Sequence, residues 1–299
     1  MTSEYFESIV FMDIVIIGVL LGGAYALMAM GLQLQYGVAK IMNLANGEML
    51  VAGSFAAFWF FTSAQVSPLL AILVVAPMAF IFNWLVYKIF MRYLVKKARS
   101  EGQLEVNSIL STFGQSFILV GLMLALFGGE YFSYSYLEKP YILFGQPYEL
   151  NRIVAFLFAI FFCCILYFWL NQTRLGLTLR AVSVNPEASG LVGIDVPNIS
   201  ALAFGLGGAV TAVGGSLLSM FLTFDASVGV IFTMKALVIV IMGGVRDIRG
   251  TILVAFILGL TETAVASLID PGLTLAAAYL LFILILLFRP EGIFGKRST

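Results

Sequence analysis

Histidine is absent from the 299-residue sequence, and only two cysteines are present. Without histidine, the chain has no histidine–metal site and no Ser–His catalytic pair. Cys163 and Cys164 are adjacent within an apolar segment, and two neighbouring residues cannot form an ordinary disulfide with each other. They are most simply packing residues. We therefore predict no catalytic residue, no bound metal and no cofactor.

Charged residues are also scarce. They make up 11% of the chain, whereas a soluble domain carries about 25%. Hydrophobic residues reach 61%, and the mean hydropathy is +1.04. The long apolar runs do not alternate in the way that strands of a closed barrel do, so they are predicted to be helices. The sequence predicts an all-α polytopic membrane protein, with one transmembrane domain over residues 1–299.

The apolar runs predict a bundle of about 8–10 transmembrane helices, because about 20 residues cross a bilayer. We distinguish nine segments: 12–34, 39–62, 68–91, 107–128, 152–170, 198–222, 233–245, 250–269 and 273–288. The segment 233–245 is short and ends in glycine, so a broken or re-entrant helix is an alternative to a full crossing. Small residues recur at every fourth position, which favours close helix packing, as in Gly18, Gly22 and Ala26 and again in Ala255 and Gly259.

The distribution of cations predicts the orientation. An N-terminus outside and a C-terminus in the cytoplasm put thirteen of the sixteen lysines and arginines on the inner side. Lys139, Arg152 and Lys235 remain on the outer side or at its boundary. The inner thirteen are Lys40, Lys88, Arg92, Lys96, Lys97, Arg99, Arg174, Arg180, Arg246, Arg249, Arg289, Lys296 and Arg297.

The loop at 171–197 is then cytoplasmic and contains a predicted helix of about two turns over 186–192. Asn185 is a suitable N-cap, Pro186 fits the first helical position, and Glu187 complements the positive end of the helix. Gly193 supplies the stop. Such a helix between membrane spans suits docking to a partner, although an ordinary surface helix is the alternative.

Two carboxylates lie within predicted spans, where such groups are costly and usually face a pathway or a partner. Glu48 follows Asn43, Asn46 and Gly47, which predict a broken helix capped internally by Asn43 or Asn46. We expect a mostly apolar translocation path with these residues as its sparse polar lining. We expect Glu48 to act through hydrogen bonds, donating to a carbonyl freed by the break, rather than to carry a proton. Glu262 is a further path candidate, and a structural role is the alternative for both carboxylates.

Four segments in order resemble the branched-chain amino acid ABC transporter permease family of the LivH type. They are Asn43-Leu44-Ala45-Asn46-Gly47-Glu48 with Gly53; Arg180-Ala181, Asn185-Pro186-Glu187-Ala188 and Gly193-Ile194-Asp195; Gly243-Gly244 with Gly250; and Arg289-Pro290-Glu291-Gly292-Ile293-Phe294-Gly295. The resemblance to this family covers most of the chain. The chain departs from the family at Asn46, where members often have histidine, and at Arg246, Asp247 and Arg249, which interrupt a motif that is usually uncharged.

The resemblance implies a non-catalytic permease subunit of a bacterial ABC importer in the inner membrane. Such a permease pairs with a second, similar permease, with two cytoplasmic ATPases and with a periplasmic substrate-binding protein, and it has no nucleic-acid partner. The family handles branched-chain and other amino acids, urea and related small polar solutes. Asn185, Pro186, Glu187, Ala188, Gly193 and Ile194 match its cytoplasmic loop, and they are the predicted ATPase-coupling residues.

Other classes of transporter remain as alternatives. The chain lacks a GxxxxGK[ST] phosphate loop, so ATP would have to be hydrolysed by another subunit. An ion-coupled carrier would use Glu48 and Glu262 as proton or cation sites. A channel is a further possibility that downhill flux without ATP would reveal. An intramembrane hydrolase is disfavoured, because histidine is absent and no paired acids share a short helix face.

Overall fold

Long apolar helices dominate the computed structural model, which describes residues 2–143, 146–245 and 247–294. Seven of the described helices are long and apolar enough to cross a membrane, which confirms an all-α polytopic membrane protein. These candidate spans are Val10–Ala39, Pro68–Lys97, Gly102–Phe127, Leu150–Gln172, Val196–Leu218, Ile248–Leu268 and Pro271–Phe288. Four residues used in the sequence predictions, Arg246, Gly295, Lys296 and Arg297, lie outside the described residues.

The first half of the chain contains five α-helices and a small hairpin. In order they are α1 (Thr2–Ala39), α2 (Asn46–Thr62), α3 (Pro68–Val86), a π-helical turn (Tyr87–Met91), α4 (Arg92–Lys97), α5 (Glu101–Phe127), β1 (Pro140–Leu143) and β2 (Gln146–Glu149). The two strands pair antiparallel, with Tyr141 opposite Tyr148. The π-helical turn continues α3 into α4, so this span is longer than the predicted 68–91.

The second half is helical almost throughout. It contains α6 (Leu150–Gln172), α7 (Arg174–Val184), α8 (Pro186–Leu191), α9 (Val196–Leu218), α10 (Gly229–Gly243), α11 (Ile248–Leu268), a 3₁₀ turn (Pro271–Leu273) and α12 (Thr274–Phe288). Helix α6 runs from the hairpin to α7, a length of about 34 Å at 1.5 Å per residue. We therefore call the two ends of the bundle the hairpin end and the α8 end. The predicted orientation places the hairpin end outside.

Two of the nine predicted segments form helices that are too short to be among the seven candidate spans. The predicted span 39–62 is wrong in its first part, because residues 40–45 are not helical and α2 begins only at Asn46. The chain leaves α1 at Lys40 with a φ of 56°, a left-handed conformation that ends a helix and redirects the backbone. Helix α10 has 15 residues, about 22 Å, against the ~30 Å of a hydrocarbon core. The prediction that this segment is short is confirmed, although the helix begins at Gly229 rather than at 233.

Helices α1 and α9 form the buried centre of the bundle, and small residues let α1 approach its neighbours closely. A Cβ atom at Gly259 of α11 would lie 2.5 Å from the carbonyl oxygen of Gly18, and one at Gly22 would lie 2.9 Å from the Cα of Phe256. A side chain at either glycine would therefore force α1 and α11 apart. The predicted packing role of the Gly18–Gly22 stripe is confirmed.

Candidate functional site: a buried polar junction and an exposed loop helix

The non-helical stretch before α2 is held by buried amide side chains. Asn43 is fully buried, and its Nδ2 donates to Oε1 of Gln35 on α1 at 2.8 Å. Oδ1 of Asn43 accepts from the amide of Ala45 at 3.0 Å, and Nε2 of Gln35 donates to the carbonyl of Phe204 on α9 at 3.1 Å. Asn43 therefore stabilises the turn into α2 and ties it to α1 and α9. The structure places no side-chain cap on α2 itself, where Ala45 holds the N-cap position.

The first turn of α2 meets the first turn of α10. The amide of Gly47 donates to Oγ1 of Thr233 at 2.8 Å, and this hydroxyl donates in turn to the carbonyl of Leu44 at 3.1 Å. A Cβ atom at Gly47 would lie only 1.8 Å from the carbonyl oxygen of Gly229, so only glycine fits here. Oδ1 of Asn46 accepts from Oγ1 of Thr211 on α9 at 2.9 Å. The beginning of α2 is therefore held between α9 and α10.

Glu48 is fully buried in the first turn of α2. Its Oε1 accepts a hydrogen bond from Oγ of Ser116 on α5 at 2.7 Å. The expected donation from Glu48 to a free carbonyl is not observed, and its Oε2 has no hydrogen-bond partner among the described residues. Nor does an ion pair join Glu48 to any described cation. One oxygen of Glu48 and the Nδ2 of Asn46, two residues earlier in the chain, thus have no hydrogen-bond partner among the described residues.

A row of hydroxyl side chains on α5 faces this stretch. Ser108, Thr112 and Ser116 are spaced by four residues, so they lie on one face of the helix, and all three are buried. The amide of Leu44 donates to Oγ1 of Thr112 at 3.0 Å, and the amide of Met42 donates to Oγ of Ser108 at 3.3 Å. These hydroxyls satisfy backbone groups that a non-helical segment exposes. We call Asn43, Asn46, Gly47 and Glu48, with the three α5 hydroxyls, the polar junction.

The hydroxyl row was missed in the sequence predictions, although its spacing was visible. Polar residues at every fourth position of an apolar helix indicate a face that avoids lipid. The rest of α5 carries many exposed apolar side chains, including Leu110, Phe117 and Ile118. The contrast between the hydroxyl face and the apolar face of α5 could therefore have predicted which side of this helix faces the bundle. The partners Gln35, Thr211 and Thr233 gave no such signal, because they lie on three different helices and no local pattern links them to the start of α2.

An aromatic cluster lies between the polar junction and the hairpin end. Phe55 follows Glu48 by two helical turns on the same face of α2, about 10 Å further along the axis. Its ring stacks on Phe127 of α5 with a centroid distance of 4.2 Å, and it meets Phe132 and Phe224 edge-on at 5.3 and 5.1 Å. Phe132 and Phe224 also exchange two backbone hydrogen bonds, of 2.8 and 3.0 Å. These rings pack against one another between the polar junction and the hairpin end.

The edge of this aromatic cluster carries one polar contact. Tyr134, in the loop before β1, packs against Phe58 and Phe61, and its hydroxyl lies 2.9 Å from Oγ of Ser219. Burial raises the pKa of Tyr134 to about 12, so the phenol stays neutral at ordinary pH. The loop after α5 is thereby fixed to the end of α9 without a charge.

Glu262 belongs to a different cluster from Glu48. Its Oε2 lies 2.8 Å from Nζ of Lys235 on α10 and accepts from the hydroxyl of Tyr25 on α1 at 2.7 Å. Lys235 also donates to the hydroxyl of Tyr25 at 2.8 Å. The side chains of Lys235 and Glu262 are only 12% and 5% exposed. The charge of Lys235 is therefore buried and paired inside the bundle, and its predicted place on the outer side or its boundary stays a prediction. No described hydrogen bond joins Glu262 to the polar junction.

The predicted loop helix forms as α8. Oδ1 of Asn185 accepts from the amide of Ala188 at 3.0 Å, and Pro186 occupies the first helical position. Gly193 has a φ of 85°, which favours glycine, and the amide of Ile194 donates to the carbonyl of Ser189 at 3.1 Å. Glu187 is exposed and makes no ion pair among the described residues. The prediction of a capped helix of about two turns is confirmed to within one residue.

The sequence did not predict α7, which precedes α8 directly. The hydroxyl of Thr173 caps α7 by accepting from the amide of Gly176 at 3.0 Å. A Cβ atom at Gly176 would lie 2.4 Å from the carbonyl of Leu170, so α7 folds tightly back on the end of α6. Beyond it, α8 presents Leu191 and Val192 to the outside at 90% and 76% exposure. Ile194 is instead half-buried and packs against the core.

These features define a membrane transport protein, with a helical bundle, a polar break within it and an exposed helix at one end. The chain belongs to the family of the branched-chain amino acid transport system / permease component, whose family model matches residues 14–288.

Characterised relatives agree with this family over nearly the whole chain. The chain is 27% identical to the high-affinity branched-chain amino acid transport system permease protein BraD of Pseudomonas aeruginosa, over 93% of this chain and 94% of the relative. It is 24% identical to the corresponding LivH protein of Escherichia coli K12, with the same coverage. A probable LivH of Methanocaldococcus jannaschii is 26% identical over 90% of this chain and 88% of the relative. No solved structure matches the chain significantly.

Proposed function

We propose that this protein is the permease subunit of an ATP-driven importer for branched-chain amino acids or related small polar solutes such as urea or amides. The observation that carries the proposal is α8, a capped and exposed helix at the end of the bundle opposite the hairpin, in a chain of this permease family. The chain itself hydrolyses no ATP in this proposal. Two ATPase subunits, a second permease and a substrate-binding protein complete the importer in the inner membrane.

The exposed face of α8 supports its role in coupling to an ATPase. Leu191 at the end of α8 and Val192 directly after it lie at the surface near Glu187, which forms no ion pair among the described residues. Beside α8 lies a groove of about 590 Å³, lined in part by Lys40, Arg92 and Lys96. Apolar side chains surrounded by charges are typical of protein-binding surfaces. Asn185 and Gly193 fix the two ends of α8 and thus the direction in which this surface faces.

The polar junction is the proposed polar lining of the translocation path. It combines two buried polar atoms that have no partner among the described residues, Nδ2 of Asn46 and Oε2 of Glu48, with the aromatic cluster around Phe55. Helix α5 faces the junction through hydroxyls but otherwise contacts the bundle sparingly. A solute passing between α2 and α5 would meet polar groups that are mostly bonded to the protein already, so it would be bound weakly and released readily. Selectivity would then come from the separate binding protein.

The ion-coupled alternative receives no support from the family or from the named relatives. It required Glu48 and Glu262 as ion sites along one route. Glu262 is already neutralised by Lys235 and bonded to Tyr25, so a transported cation would have to displace a buried lysine. Uptake that requires ATP and survives an ionophore would separate the two mechanisms.

The experiment that tests the proposal reconstitutes the chain with its partner subunits in proteoliposomes and measures ATP hydrolysis and leucine uptake together. We expect the double variant Glu187→Arg, Gly193→Trp to lose uptake while the ATPases still hydrolyse ATP. Leu191→Asp should act in the same direction without straining the backbone. Gly102→Trp is the matched control, because a side chain at Gly102 meets open space at the same end of the bundle. Normal coupled uptake in both α8 variants would contradict the coupling role.

A further inference from the structure

An apolar groove crosses the bundle surface between α1, α6 and α11. Its volume is about 600 Å³, and nearly all its lining is apolar, including Ile160, Cys164, Leu253 and Phe256. Gly23 and Ala26 form part of its lining, where α1 carries little or no side chain. Along α11 the lining runs from Arg249 to Leu260, about 16 Å. This length matches one leaflet of hydrocarbon, which is half of ~30 Å.

Two arginines stand at the α8 end of this groove. Arg249 and Tyr167 line the groove and also a neighbouring polar pocket of about 270 Å³, which Arg180 lines as well. Nε and one terminal nitrogen of Arg249 both donate to the hydroxyl of Tyr167, at 2.9 and 2.6 Å. Arg180 donates to Oδ1 of Asn171 at 3.1 Å. Both guanidinium groups are thus oriented by neutral partners.

These two positive charges are not matched by a carboxylate that pairs with them. Asp247 also lines the polar pocket, but its Oδ1 accepts from the backbone amides of Arg249 and Gly250 and so caps α11. Among the described residues, neither Arg180 nor Arg249 forms an ion pair. Both side chains are exposed. The pocket therefore offers two cations with free donor capacity beside one carboxylate, Asp247, so it keeps an excess positive charge next to the apolar groove.

We propose that this groove binds a membrane phospholipid with an anionic headgroup. One acyl chain occupies the apolar groove, and the phosphodiester lies between Arg180 and Arg249, with Tyr167 at the boundary. Charge complementarity selects this occupant. The arginines stand only at the α8 end of the groove, beside a tyrosine of the kind that lies at a membrane boundary, and this arrangement fits a lipid headgroup. The apolar helix of another subunit would leave both cations unmatched. The bound lipid would connect α6 and α7 to α11 at the end that carries α8.

The first test compares lipid retention by the purified full chain in native mass spectrometry. The probes are phosphatidylglycerol and phosphatidylcholine of equal chain length, with inorganic phosphate as a headgroup-only control. We expect retention of phosphatidylglycerol to fall about fivefold for Arg180→Gln or Arg249→Gln and about 25-fold for the double variant. Retention of phosphatidylcholine should be weaker in the wild type and should fall less, because its choline cation offsets the charge of the same phosphodiester. Arg174→Gln, an exposed cation outside the groove lining, is the control that should retain phosphatidylglycerol fully.

The second test locates the acyl chain. A fluorophore on Cys164, in a Cys163→Ser background, should be quenched more strongly by brominated phosphatidylglycerol than by brominated phosphatidylcholine. A fluorophore at Leu122→Cys on the exposed face of α5 should show no such preference. Equal retention of phosphatidylglycerol by the wild type and the double arginine variant would overturn the proposal. So would protection of Cys164 from quenching by added partner permease, because a protein helix would then fill the groove. Retention of inorganic phosphate equal to that of phosphatidylglycerol would also overturn it.

Discussion

Replacement of Glu48 tests whether the polar junction works through hydrogen bonds or through charge. The carboxylate is fully buried, accepts one hydrogen bond from Ser116 at 2.7 Å and has no cation partner among the described residues. Glu48→Gln keeps an oxygen in the place of Oε1, so the bond to Ser116 survives. Glu48→Leu removes that acceptor beside a buried hydroxyl, at a cost of ~1–3 kcal/mol. Ser116 can turn to a carbonyl of its own helix, which favours the lower part of this range.

We therefore expect the Gln variant to keep substantial ATP-driven uptake and the Leu variant to lose uptake or to assemble poorly. The assay is leucine uptake into proteoliposomes of the complete importer, normalised to the amount of assembled complex. Ser116→Ala removes the same hydrogen bond from the other side, so its effect should not add to that of Glu48→Leu. Glu130→Gln, an exposed carboxylate in the loop after α5, is the control. Loss of uptake in a normally assembled Gln variant would refute the reasoning, because it would require an ionised or proton-carrying Glu48.

Two further predictions concern backbone contact and buried charge. Gly47→Ala should destabilise the complex or prevent its assembly, because the new Cβ would lie 1.8 Å from the carbonyl oxygen of Gly229. A thermal-stability assay of the purified complex measures this loss. Gly121→Ala is the control that should be silent in that assay, because its new Cβ meets open space. Lys235→Met should cost ~3–5 kcal/mol in stability, since it leaves Glu262 buried and unpaired. Adding Glu262→Gln to that variant should recover much of the lost stability in the same assay. A double variant as unstable as Lys235→Met alone would show that the broken ion pair does not cause the loss of stability.

Local patterns in the sequence were sufficient to predict the helical membrane class and the existence of the loop helix α8. Helices in lipid need long apolar runs, and a hydropathy average detects these directly. The helix α8 was predictable because its signals are all local: Asn185 caps it, Pro186 opens it and Gly193 ends it within one short stretch. Its role as an ATPase contact stays a prediction. Helix α7 was missed because its cap at Thr173 and its close contact at Gly176 carry no comparable pattern.

Partnerships between distant residues were decided only by the tertiary structure. Glu48 and Glu262 look alike in the sequence, as single carboxylates in apolar helices. Packing brings Glu48 to a serine 68 residues away and Glu262 to Lys235 and Tyr25, so that one is left without a cation and the other is paired. The sequence by itself determined most of the segments that are apolar enough to span a membrane, because that depends on the free energy of transfer of each segment. Which polar groups meet inside the bundle depends on how the helices are rotated and spaced, and contacts such as Gly47 with Gly229 set that spacing.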